Sequence, residues 1–304
     1  MNSSVEAIDS IGSETPTVNA MTVDVEDYFQ VSAFESKYQR SEWDRCESRV
    51  VEYTNLLLDL FAEHDAKGTF FTLGIVAESY PQIVKRIVAE GHEIASHGYD
   101  HTRVTNMSEQ AFKEDVERTK GILEDIAGVA VTGYRAPTFS ISEDNGWAYP
   151  VLVETGHVYS SSIYPVKRDL YGHPNSHRYP FVDPASGIQE IPLTTTQYFG
   201  KTLPCAGGGF FRLYPYAVTR WCYRRVNGVD KVPAIFYTHP WEYDPEQPRP
   251  NNLQFKTRFR HYLNLSKTVP RLRKLLTDFR WGRMDDVFLG AGGSVHSLQA
   301  IRAS

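Results

Sequence analysis

An α/β fold built on a parallel sheet, open or closed into a barrel, is what the sequence predicts, and three observations predict it. Along 304 residues, short runs of β-branched and aromatic residues alternate with stretches of helical periodicity. Four clusters of acids, histidines or arginine follow predicted strands, where a parallel sheet collects its loops. No internal repeat or low-complexity linker divides the chain, so one compact domain with a C-terminal elaboration is expected.

In chain order, residues 1–19 are rich in Ser, Thr, Asn and acidic groups without apolar periodicity and read as a tail, as do residues 290–304. Residues 20–25 are a short apolar run ending in acids, a strand whose C-terminal end carries polar chemistry. Residues 50–64 place Val51, Leu57, Leu58, Leu60 and Phe61 at helical spacing, and Gly68 breaks the pattern. TFFTLGIV, residues 69–76, reads as a buried strand, 81–90 as a helix ended by Gly91, and 92–96 as another strand. Ser108 can cap a helix reaching residue 127, with Phe112, Val116 and Ile122 along one stripe. Strands are expected at 129–134, 157–163, 188–194 and 234–238, and helices at 144–155 (despite Pro150), 215–226 and 268–279.

A net charge of −5 argues against nucleic acid as the main partner, which would call for a basic surface. Basic residues between Lys256 and Arg283 interleave with leucines and aromatics and read as a solvated helix face. The three cysteines, Cys46, Cys205 and Cys222, have no C-x-x-C spacing, so neither a disulfide framework nor a thiolate zinc site is expected. The start, MNSSVEAIDSIGSETPTVNA, has no basic segment followed by an apolar one, and no run of about 18 apolar residues occurs. A cytoplasmic protein without a cleaved export signal is the expectation.

The four clusters carry the chemistry. In TVDVEDYF, Met21, Val23 and Val25 alternate with Thr22, Asp24 and Glu26, so Asp24 and Glu26 should share a face at the rim while Asp27 begins the loop. Alone, these acids would suit a solvated turn. In SHGYDH, His97 and His101 can converge on one ion if the segment turns tightly, with Asp100 and Ser96 available to orient them. Two imidazoles and one carboxylate form a common set for Zn²⁺ or another divalent ion that leaves positions open. GYRAPTF places Arg135 just after a strand, where a guanidinium lowers and orients a neighbouring carboxylate. FYTHPWEYD offers His239, Glu242 and Asp244, and His239 beside Pro240 and Trp241 suits an imidazole that titrates near neutrality and donates a proton.

These clusters, in this order, resemble the polysaccharide deacetylase family, carbohydrate esterase family 4. SHGYDH looks like that family's paired-histidine metal motif and RAPTF like its R-x-P-x-[FY] motif. GGGFFRLYP, FYTHPWEYDPEQPR and RHYLNLSKTVPRLRKLL look like a bacterial branch associated with exopolysaccharide loci and the exosortase system. The resemblance implies a distorted (β/α) barrel over residues 20–289, with a C-terminal extension from about residue 200. It also implies hydrolysis of N-acetyl groups from an amino-sugar polymer or its precursor, in exopolysaccharide biosynthesis.

Carried over, His97 and His101 are ligands of a divalent ion, Zn²⁺ by first choice and Co²⁺ as an alternative. Arg135 supports the base and His239 is the general acid. Backbone N–H groups near Thr138 could stabilise the oxyanion, and Tyr28, Phe29, Tyr134, Phe139 and Trp241 could stack on sugars. The first motif departs from the family's two adjacent acids. Adjacent pairing makes Glu26 the base and Asp27 the ligand, whereas a D-x-[DE] variant makes Asp24 the base and Glu26 the ligand. The preferred assignment is Asp24 as base and Asp27 as ligand, with Glu26 contested.

An N-acetylated oligo- or polysaccharide is the expected partner, with association to a polysaccharide assembly complex a further possibility. Two rivals stand beside this reading. One is an allantoinase-type cyclic-amide hydrolase, which alters the first motif towards glutamates; the other is a non-catalytic carbohydrate-binding protein.

Overall fold

The computed structural model describes residues 17–167 and 172–290. Both predicted tails therefore fall largely outside the described residues, although the first strand begins at Val18, ahead of the expected boundary at 20. That early start has a cause: Val18–Ala20 pair with a late strand at Arg280–Gly282, and Asn19 is buried and receives the Ala234 N–H.

The strands are β1 Val18–Val25, β2 Thr69–Thr72, β3 Glu93–Ser96, β4 Gly133–Tyr134, β5 Tyr159–Ser160, β6 Phe181–Val182, β7 Gln189–Glu190, β8 Thr195–Tyr198, β9 Lys201–Pro204, β10 Ile235–Thr238 and β11 Arg280–Gly282. The main sheet runs β10-β1-β2-β3-β4-β5-β7-β6, parallel except between β6 and β7, with β11 added to the start of β1. Among the described residues no pairing joins β6 back to β10, so the sheet curls into a partial barrel. The helices are α1 Val50–Glu63, α2 Gly74–Ser79, α3 Pro81–Ala89, α4 Glu109–Ala127, α5 Ala148–Glu154, α6 Gly208–Leu213, α7 Tyr216–Arg225, α8 Phe255–Tyr262 and α9 Thr268–Asp278.

Period-two alternation in β1 divides the core in two. Met21, Val23 and Val25 face outward, into a cluster with Leu57 and Phe61 of α1 and Ile83 and Ile87 of α3. Ala20 faces the opposite way, into the barrel interior with Phe71, Ala95 and Tyr159. A register of Val23↔Thr238, Val25↔Thr72, Thr72↔Ser96, Ser96↔Tyr134 and Tyr134↔Ser160 brings the strands' C-terminal ends to one rim.

Several elements differ from the sequence reading. The apolar run 69–76 is a strand only to Thr72; the Gly74 and Ile75 N–H groups then bond to the Gly98 and Tyr99 carbonyls and the chain turns into α2. Strands expected at 129–134, 157–163 and 188–194 shrink to two residues each; Glu124 takes the Val131 N–H ahead of β4, and Glu190 takes the Ser162 and Ile163 N–H groups after β5. The helix at 144–155 starts at Ala148, which puts Pro150 in its first turn, where a missing N–H costs no intrahelical bond. The β8–β9 hairpin, α6, α8 and β11 carry too little periodicity to be read from sequence.

Candidate active site

Beyond β1, backbone alternation carries Glu26 onto the same side as Asp24 and sends Asp27 to the other. The structure accordingly brings Glu26, His97 and His101 together, with one ligand atom from each within 4.8 Å of the others, all three buried. Asp27, the expected ligand, faces outward. Its carboxylate accepts from Ser48 Oγ at 2.7 Å and from the N–H groups of Arg49, Val50 and Tyr28 at 2.9, 3.2 and 3.0 Å. It thereby covers the start of α1, which has no side-chain cap of its own. Burial nevertheless pushes the Asp27 carboxyl above its ordinary range, against those hydrogen bonds.

SHGYDH turns tightly rather than helically. The His97 N–H bonds to the Thr72 carbonyl, Gly98 takes φ +74°, and His101 takes φ +62°, which returns its ring to 5.4 Å from that of His97. A side chain at 98 would be strained and would meet the Asp115 carboxylate at 3.1 Å. His97 Nδ1 lies 2.8 Å from the Arg135 carbonyl oxygen, which can only accept, so Nδ1 carries the proton and Nε2 presents a lone pair. Burial lowers the His97 pKa to about 4, keeping the ring neutral. Asp100 does not orient either histidine: it accepts from Thr102 and Arg40. Ser96 Oγ meets only the Gly98 N–H, at a long 3.4 Å.

Glu26 supplies the test of whether a cation fits. Its Oε2 is buried, lies 2.8 Å from His101 Nε2 and has no partner in hydrogen-bond alignment, while Oε1 accepts from Trp241 Nε1 at 3.1 Å. Burial would raise this carboxyl, but His101, His239 and His97 hold it down at about 2. An ionised, unsatisfied oxygen converging with imidazole nitrogens suits a divalent ion.

Asp24 sits beside this set and is clamped by Arg135. The guanidinium, fully buried, gives Nη1 to Asp24 Oδ1 at 2.6 Å and to Thr22 Oγ1 at 2.8 Å, and uses Nε and Nη2 on Ser161. His239 Nε2 stands 3.8 Å from Asp24 Oδ2 and 3.7 Å from Glu26 Oε1. Its Nδ1 donates to Glu242 Oε1 at 2.6 Å, and Glu242 Oε2 accepts Arg212 Nε at 2.7 Å. Burial works to lower the His239 pKa, yet Glu242, Glu26 and Asp24 raise it to about 9 rather than leaving it near neutrality.

Glu242, which the sequence places in the late cluster without a role, and Arg212, which sequence reasoning missed, are positioning groups for His239. The three-residue spacing within HPWE was the available signal for Glu242, because residues 240–243 form a 3₁₀ turn that returns it beneath His239. Arg212, on α6, binds the His261 and Leu263 carbonyls as well. Asp244, from the same cluster, instead binds Tyr53 Oη and turns away. The expected stacking aromatics are buried in protein: Tyr28, Phe29 and Trp241 pack with Phe34, Tyr134 with Phe112, and Phe139 with Tyr237. Near Thr138, the Phe139 N–H is used on the Ala136 carbonyl and is not available to an oxyanion. Trp241 lies between the rings of His239 and His261 and also lines a groove of about 850 Å³ with Val31, Phe210, Leu253 and Phe259.

Residues 35–149, which hold His97, His101 and Arg135, match the sequence profile of the polysaccharide deacetylase family. Family profile and relatives together support the polysaccharide deacetylases. Residues 161–289, which hold Arg212, His239 and Glu242, match a domain of unknown function, DUF3473. A peptidoglycan-N-acetylglucosamine deacetylase of Bacillus cereus is 39% identical over 99 residues, 32% of this chain and 36% of that protein. A chitin deacetylase of Arthroderma benhamiae is 35% identical over 97 residues, 30% of this chain and 26% of that protein. The chain thus spans about a third or less of these deacetylases. A crystal structure of a Mycobacterium smegmatis protein assigned to the polysaccharide deacetylases superposes with a TM-score of 0.55 at 20% identity, covering 90% of this chain and 93% of that one, which establishes the shared fold.

Proposed function

We propose that this chain is a metal-dependent hydrolase that removes N-acetyl groups from amino-sugar residues of a polysaccharide or its precursor. The observation that carries the proposal is the convergence of Glu26, His97 and His101 beside an arginine-clamped Asp24 and a carboxylate-backed His239 on one rim. The relatives named as peptidoglycan and chitin deacetylases supply the substrate class.

Glu26, His97 and His101 would hold the ion. When bound, a divalent ion, Zn²⁺ best suiting this donor set, supplies Lewis acidity towards an acyl oxygen and towards water. Asp24, fixed by Arg135, takes the proton from the attacking water as base. His239, protonated at neutral pH and held through Nδ1 by Glu242, delivers a proton from Nε2 to the departing amine. Arg212 fixes Glu242 and so acts through it. The groove of about 850 Å³ lies on the His261 side of Trp241, across that ring from His239, and is large enough for a saccharide chain. A role in exopolysaccharide biosynthesis rests on the resemblance of residues 207–215, 236–249 and 260–276 to the exosortase-associated branch.

The test is acetate release from N-acetylated oligosaccharides before chelation, after chelation and after Zn²⁺ is restored, with allantoin as a control substrate. Acetate release should vanish and return with the ion. Chelator-indifferent acetate release, or ring opening of allantoin without acetate release, would overturn the assignment.

A further inference from the structure

The β8–β9 hairpin lies outside the main sheet, and its turn carries two aromatic residues into solvent. Phe199 at the tip is 87% exposed and Tyr198 49%, their rings 4.4 Å apart. Trp221 of α7, 39% exposed, packs edge-on against Tyr198 at 5.3 Å. Val218, one turn before Trp221, is exposed on the same helical face. Arg225 locks helix and hairpin together by donating Nε to the Gln197 carbonyl at 2.9 Å.

The hairpin and α7 themselves bring only basic charge to this apolar tip. Neither β8–β9 nor α7 contains an acidic residue, while Lys201, Arg224 and Arg225 surround the aromatics and Arg220 leans towards Asp278 of α9. Aromatic side chains ringed by cations suit the boundary between anionic headgroups and acyl chains. A sugar chain would favour a flat ring face, but these rings stand at 62° and 85° to one another. The hairpin is rooted where Thr194 Oγ1 accepts the Ile235 N–H, at the start of β10, and His239 follows the other end of that strand. The tip can therefore be covered while the candidate site stays open.

We propose that Tyr198, Phe199 and Trp221, with Lys201, Arg224 and Arg225, form an interfacial anchor that seats the protein on an anionic lipid bilayer. No helix among the described residues is long and apolar enough to cross a membrane.

The experiment is sedimentation of the full chain with phosphatidylcholine vesicles, with and without phosphatidylglycerol. The wild type should pellet with the anionic vesicles, less so as salt rises. Phe199→Asn is the decisive variant because asparagine tolerates the φ of +47° at this position. It should weaken vesicle binding by about tenfold or more, a partition loss of the size expected when an aromatic side chain no longer inserts. Arg224→Glu with Arg225→Glu should do the same, and soluble-oligosaccharide turnover should be unchanged in both. Absence of vesicle binding, or binding that survives Phe199→Asn, overturns the proposal. So does a Phe199-dependent dimer in light scattering without vesicle binding, which would assign the patch to a second copy. Because binding is read without turnover, its failure is separable from failure of the deacetylase reading.

Discussion

At the scale of single residues, the site is a set of buried polar groups whose partners leave each with one remaining direction. Arg135 occupies Asp24 Oδ1, the Arg135 carbonyl occupies His97 Nδ1, and Trp241 occupies Glu26 Oε1, so Oδ2, Nε2 and Oε2 remain to face the rim. Glu242 does the same for His239. Glu242→Gln keeps the size and one acceptor but removes a negative charge that stabilises the imidazolium. Because its folded-state pKa is raised, His239 keeps its proton up to higher pH than a free imidazole, and it gives that proton up at lower pH once the Glu242 charge is gone. The alkaline limb of the acetate-release profile should therefore move to lower pH, with kcat at its optimum reduced about tenfold to a hundredfold for a weakened general acid. A profile unchanged in Glu242→Gln would show that Glu242 does not act on His239.

At the scale of elements, β1 and the turn after it explain both what the sequence disclosed and what it obscured. Period-two alternation placed Asp24 and Glu26 on one face, and the four strand-end clusters located every group at the rim. Asp27 does not join the histidines, and spacing within VEDYF does not reveal why: α1 begins under that carboxylate 23 residues later. Arg212 was illegible for the same reason: its partner Glu242 is 30 residues away and the contact exists only once α6 is packed. The two acids should separate experimentally. Asp27→Asn forfeits part of the cap on α1 and should destabilise the fold by about 1–2 kcal/mol while leaving bound Zn²⁺ near the wild-type level. Glu26→Ala should lose most of the bound metal. Urea midpoints and metal content measured on both variants decide it, and loss of metal in Asp27→Asn alone would make Asp27 the ligand.

Over the whole molecule, the two ends of the curled sheet use buried carboxylates differently. The strands' C-terminal ends hold ionised acids against imidazoles and a guanidinium. At their N-terminal ends, Glu93 opens β3 almost wholly buried, accepting from Thr69 Oγ1, Tyr159 Oη and the Asp285 N–H at 2.5, 2.8 and 3.2 Å. This contact ties β2, β3, β5 and the turn after β11 into one unit, which the sequence could not show because its members lie 66 and 192 residues from Glu93. Burial, and then the charge of Asp285, push the Glu93 carboxyl up to about 8. In the unfolded chain its pKa returns to about 4.3. Between those values the folded state binds more protons than the unfolded state, so stability from this group is complete below about pH 4 and declines as pH rises towards 8. Glu93→Gln removes the titration while keeping an acceptor for Tyr159. Wild-type urea midpoints should fall between pH 5 and pH 8 by more than those of Glu93→Gln, and parallel declines in the two proteins would show that Glu93 is ionised in the fold throughout.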